Sequence, residues 1–146
     1  VTAFGDKPLL PDWSDDAYAI ESAIAGAFPG SGSSAAETSI ASAAEELGTR
    51  PGARAILAIT DAESTSYADG AKLWSYLDEV RPVVFTVHVA GGGSPVLSTD
   101  LMQDWASWGG RYEYASSHAK IDRAFDRMAT WMRRPRIGIL PARSTK

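Results

Sequence analysis

Apolar residues return along this chain in two rhythms, and the changes between them mark out the elements. From Ser14 onward, Ile20, Ile24, Ala27 and Phe28 recur at the three- and four-residue spacing of one helix face. Ser14 or Asp15 can cap the start, Asp15 and Asp16 suit the positive helix end, and Pro29-Gly30 closes the element. After the small polar loop PGSGSSAAE, the positions Ile40, Ala43, Ala44 and Leu47 form one face of a second helix that ends at Gly48. Thr38 falls in its first turn.

Arg54 to Thr60 is apolar without polar alternation, the pattern of a strand covered on both faces. Leu73, Trp74, Leu77 and Val80 then form a helical stripe, and VVFTVHV from Val83 to Val89 is a strongly β-branched run. Leu101, Trp105 and Trp108 fit a further helix capped by Ser98 or Thr99, and RYEYA after Gly109-Gly110 fits a short strand. A long last helix carries Ile121, Ala124, Phe125, Met128 and Met132, with Arg133 and Arg134 at its negative end and Pro135 as its stop. Ahead of all these, Val1 to Phe4 is β-rich, and the prolines of KPLLPDW confine any strand at Leu9 and Leu10 to a sheet edge.

The order is strand, edge segment, two helices, then strand and helix three times over. It predicts an α/β fold of three layers, a mostly parallel, Rossmann-like sheet with helices on both faces. At 146 residues and 45% hydrophobic content the chain suits one domain with a sizeable core.

Charge narrows the partners. With 14 basic and 18 acidic residues the net charge is -4, so no footprint for nucleic acid or an anionic membrane is visible. No apolar run approaches the ~18 residues of a membrane span. Cysteine is absent, which removes disulfides, thiolate metal sites and cysteine nucleophiles. No Gly-x-Ser-x-Gly elbow, His-Glu-x-x-His, Walker loop or dinucleotide fingerprint occurs, and enzyme activity is not expected.

In open α/β sheets, ligands bind outside the carboxyl ends of the strands. Asp61 closes RAILAITDAES at such an end, where a turn or N-cap aspartate is the plain alternative to a ligand. Thr38 has a plain alternative too, since hydroxyls at helix starts commonly cap. His88 reads as a hydrogen-bonded buried histidine and His118 as a water-facing one, Glu63 and Asp6 as loop carboxylates, and Gly30 to Ser34 as a flexible loop. Trp74, Trp105, Trp108 and Trp131 lie on helical stripes and read as packing, with Trp13 partly exposed.

Taken together, these pieces resemble the later part of a von Willebrand factor type A domain. VTAFGDKP resembles its second strand and turn, ETSIASAAEEL its threonine-bearing loop and helix, and RAILAITDAES its fourth strand with the metal-site aspartate. VVFTVHVA and WGGRYEYASSHAKIDRAFDRM resemble the last two strands and closing helix. The resemblance implies a partial domain over residues 1–135, incomplete at the N-terminus, and a tail over 136–146.

That family binds a divalent cation, Mg²⁺ or else Mn²⁺ or Ca²⁺, at a metal-ion-dependent adhesion site built from three loops. The resemblance carries the second loop to Thr38 and the third to Asp61. The first, Asp-x-Ser-x-Ser, has no counterpart, so an upstream segment or another chain is expected to supply it with the central strand it follows. Leaving that strand out would cost roughly 1 to 3 kcal/mol for each buried polar group left unpaired.

The resemblance implies a protein-protein interaction or adhesion module, its partner a protein ligand or subunit able to offer the metal a carboxylate. It implies no contact with nucleic acid and no membrane insertion, and an extracellular or cell-envelope setting. The alternatives are a structural domain of an assembly whose metal site is vestigial or completed by a partner, and an α/β enzyme with its catalytic residues upstream of Val1.

Overall fold

The computed structural model describes residues 9–10, 12–27, 36–62, 70–90, 99–106 and 109–133. Its elements are α1 (Ala17–Ala25), α2 (Ala36–Gly48), β1 (Ala55–Thr60), α3 (Gly70–Val80), β2 (Val83–Val89), α4 (Thr99–Asp104), β3 (Arg111–Ala115) and α5 (His118–Arg133). The three strands form one parallel sheet in the order β1-β2-β3, with Ala55 opposite Val83 and Phe85 opposite Arg111. A parallel sheet needs crossovers, and α3 and α4 supply them. The α/β expectation therefore holds in its general form.

Side chains alternate across the strands, so the sheet has two apolar faces. On one, Ile56, Ala58 and Val84 join Ile40, Ala44 and Leu47 of α2, Leu73 and Leu77 of α3, and Met102 and Trp105 from α4 and its end. On the other, Phe85, Val87 and Ala115 pack under Ala124 and Met128 of α5. Helices thus lie on both faces.

Coverage of β1 corrects the expectation. Its register partners β2 residues throughout, placing Leu57 beside Phe85 and Ile59 beside Val87. Phe85 and Val87 are buried beneath α5, whereas Leu57 is 40% and Ile59 44% exposed. Among the described residues the α5 layer stops one strand short, and a run that reads as buried on both faces is buried on one and partly exposed on the other.

The first helix differs more. Asp16 caps it by accepting from the backbone N–H groups of Tyr18 and Ala19, one residue beyond the caps read from sequence. None of its residues is buried, and Ile24, placed by its spacing on a core-facing stripe, is 55% exposed. The segment before it is fastened to the end of α2: the indole N–H of Trp13 donates to Glu46, and the Arg50 guanidinium lies 4.7 Å above the Trp13 ring. Leu9 and Leu10 form a bend, not an edge strand. Residues Val1 to Phe4, Glu63, the Gly30 to Ser34 loop, Asp6, Ser98, Trp108, Arg134, Pro135 and the tail 136–146 lie outside the described residues.

Candidate functional site at the carboxyl end of the sheet

Two anchors fix the direction of α2. At its last residue, a β-carbon on Gly48 would lie 3.0 Å from Val80 Cγ2, so the absent side chain lets α2 close on the end of α3. Arg54, at the amino end of β1, donates from Nη1 to the Val80 carbonyl and from Nη2 to that of Arg50. At the other end of α2, Ala36 is fully buried in the same cluster as Ala62, just beyond β1. The lengths agree: 13 helical residues and 6 strand residues each span about 20 Å. The start of α2, with Thr38, therefore lies toward the carboxyl end of β1, with Asp61.

Locally, Thr60, Asp61 and Ala62 form a tight turn. The Thr60 hydroxyl accepts the Ala62 N–H at 3.0 Å, and Ala62 takes a left-handed φ of 65° while fully buried. A non-glycine residue there costs roughly 1 to 2 kcal/mol, offset in part by that bond and by burial. Asp61, between them, is exposed. Thr38 is exposed on α2.

A second group at this end was not legible beforehand. Thr60 stands opposite His88 in the register, and His88 opposite Tyr114. His88 Nδ1 lies 2.9 Å from the Tyr112 hydroxyl, and the His88 ring meets Tyr114 edge-on at 5.0 Å between centroids. The expectation of a buried, hydrogen-bonded His88 is met, with Tyr112 as the partner; His118 opens α5 and is exposed, as expected. Nearby on the strand, the buried Thr86 hydroxyl makes no hydrogen bond among the described residues, and neither does the buried indole N–H of Trp105 at the end of α4. The identity of this row depends on how far β2 and β3 are staggered, which residue spacing within each strand does not encode.

Hard divalent cations take oxygen ligands, so Asp61 and Thr38 are of the right chemical type. They are an incomplete set: among the described residues no group of three or more His, Cys, Asp or Glu side chains could hold a metal. The Thr60 hydroxyl is already engaged within its turn. The start of α2 adds about half a positive charge, which opposes a dication there, and the acids at this end among the described residues include Asp61 and Glu37 in the first turn of α2. Among the described residues no helix is long and apolar enough to cross a membrane. Comparison with protein-family models, curated proteins and solved structures finds no match to the chain.

Proposed function

We propose that this chain is a protein-protein interaction module of the von Willebrand A type, binding Mg²⁺ or a similar cation at the carboxyl end of its sheet. What supports this is the placement of Thr38 and Asp61: the helix start and strand end that carry them close on one buried cluster through Ala36 and Ala62. Asp61 would hold the cation directly or through water, Thr38 would offer a hydroxyl, and the missing charge would come from beyond the described residues, including a carboxylate of the protein partner. In this role the cation supplies an electrostatic bridge between the two proteins, and no bond is made or broken.

A second reading, a structural domain within an assembly, is favoured by the uncovered Leu57 and Ile59. Thermal unfolding with and without Mg²⁺ separates the two. Cation binding to the folded state should raise the midpoint, by about 2.7 kcal/mol of stability at a hundredfold excess over Kd. Asp61→Ala should abolish the rise and Thr38→Ala should weaken it. Identical melts with and without Mg²⁺ would leave the structural reading in place of the cation-bridged one.

A further inference from the structure

The net charge of -4 conceals an uneven distribution. Of the 14 basic residues 9 lie from Arg111 onward, together with only 3 of the 18 acidic ones, Glu113, Asp122 and Asp126. The chain is thus basic by 6 charges over its last 36 residues and acidic by 10 before them. Such asymmetry marks an anion-facing end that a whole-chain sum hides.

The described part of this end is β3 with α5, and its bases are ordered. Arg111 and Arg127 share one carboxylate: Arg111 Nε donates to Glu113 Oε1 at 3.1 Å, and Arg127 Nη1 to Oε2 at 3.2 Å. The Glu113 side chain is 15% exposed, against 45% for Arg111 and 54% for Arg127. The Arg111 guanidinium also lies 6.0 Å from the centre of the Trp131 ring. Both guanidinium forks are held by part of their donors only, so the Nη groups of Arg111 and the Nε and Nη2 groups of Arg127 remain for a ligand. Lys120, Arg123 and Arg127 recur at i, i+3 and i+7, in one exposed row on the flank of α5 that reaches Glu113 of β3. Among the described residues β3 is an outermost strand, so this row borders the open side of the sheet.

Charge and geometry narrow the ligand. Lys120, Arg123, Arg127 and Arg111 face one carboxylate, Glu113; Asp126, three residues from Arg123, offsets one more charge, which leaves an excess of two. A carboxylate brings one negative charge, whereas a phosphomonoester brings about 1.5 to 2 with three acceptor oxygens, the group that guanidinium forks bind bidentately. The acidic remainder of the chain disfavours a long polyanion such as nucleic acid, whose charges extend past the row. The apolar stripe of α5, with Ala124 and Met128, is buried on the sheet and does not face a bilayer.

Resting on the interaction-module reading for the existence of a protein partner, we propose that Arg111 and Arg127 bind a phosphorylated side chain of that partner. Glu113 and Trp131 hold the two forks in place, and Lys120 and Arg123 add attraction along the helix.

The test is binding by the full chain, without Mg²⁺, of a degenerate peptide library with a central phosphoserine, against the same library with serine or glutamate at that position. Fluorescence anisotropy should show the phosphoserine library binding at least about tenfold more tightly than either, the worth of one charge-assisted hydrogen bond. Arg111→Lys and Arg127→Lys keep the charge but remove the fork, and each should lower affinity at least about fivefold, while Lys72→Gln on α3 leaves it unchanged. The unsubstituted protein gives a measurement that depends on no variant: the Nε resonances of Arg111 and Arg127 should shift on titration with the phosphoserine library. Equal binding of the three libraries, lysine variants that bind as the parent does, or unmoved guanidinium resonances overturn the proposal. So does tighter binding of inorganic phosphate, of phosphatidylserine vesicles or of single-stranded DNA, each of which would name another source of the anion. A Mg²⁺-dependent rise in melting temperature that Asp61→Ala removes would survive any of these failures, so the two ideas fall separately.

Discussion

Gly110 sits directly against the backbone of Val84: a β-carbon built on it would lie 1.8 Å from the Val84 carbonyl oxygen and 2.6 Å from the carbonyl carbon. The chain entering β3 therefore crosses β2 at a separation that only glycine permits. Since the obstacle is main chain in the middle strand, it cannot turn aside as a flexible side chain would. Gly110→Ala should lower stability by about 1 to 3 kcal/mol through forced displacement of β3. Urea unfolding reads this as a lower midpoint, and an unchanged midpoint would mean that β3 and β2 are not packed in this way.

Leu57 and Phe85 are register partners on one face, yet only Phe85 is covered. Truncating Phe85 to alanine should cost about 3 to 5 kcal/mol, the usual loss for a large core side chain. Leu57→Ala should cost clearly less than that, since 40% of Leu57 is still in contact with water in the folded state. Equal losses at the two positions, measured by denaturant titration, would show that β1 is covered on both faces.

Tyr76 on α3 has its pKa raised above the ordinary 10.0, chiefly by a hydrogen bond to Glu45, with desolvation and the charges of Glu45 and Glu79 adding to it. All these favour the protonated phenol in the folded state. The contribution is complete below pH 10.0 and is lost as the pH rises through the raised value. Absorbance titration of the folded protein should show one phenol ionising later than in the unfolded chain, and Tyr76→Phe should remove that late component alone. An unaltered titration in the variant would place the late phenol elsewhere.

How far the sequence could be read depends on the physics behind each feature. The β-branched run Val83 to Val89 and the RYEYA strand occupy their observed bounds because local propensity and burial agree there. The α2 face of Ile40, Ala44 and Leu47 was legible for the same reason, as periodicity and packing point one way. Leu57 and Ile59 were not legible as exposed, because an apolar strand records the surroundings it suits, and not whether they are present. α1 shows the same limit: its helical spacing is real, but spacing carries no information about a facing surface. Of the candidate site, Asp61 at a strand end and Thr38 in a first turn followed from local pattern, while the row from Thr60 through His88 to Tyr114 depends on strand stagger.

An isolated helix of nine residues is marginal in water, since its few hydrogen bonds barely offset the cost of nucleation. α1 has its Asp16 cap and, just ahead of it, the Trp13 anchor, but no buried side chain to add cooperative support. Its helicity is thereby uncoupled from the core and responds to whatever touches it. α1 holds 9 helical residues beside the 13, 11, 6 and 16 of α2, α3, α4 and α5, so its ordering or loss would change far-UV ellipticity by a minor fraction while the core signal stays intact.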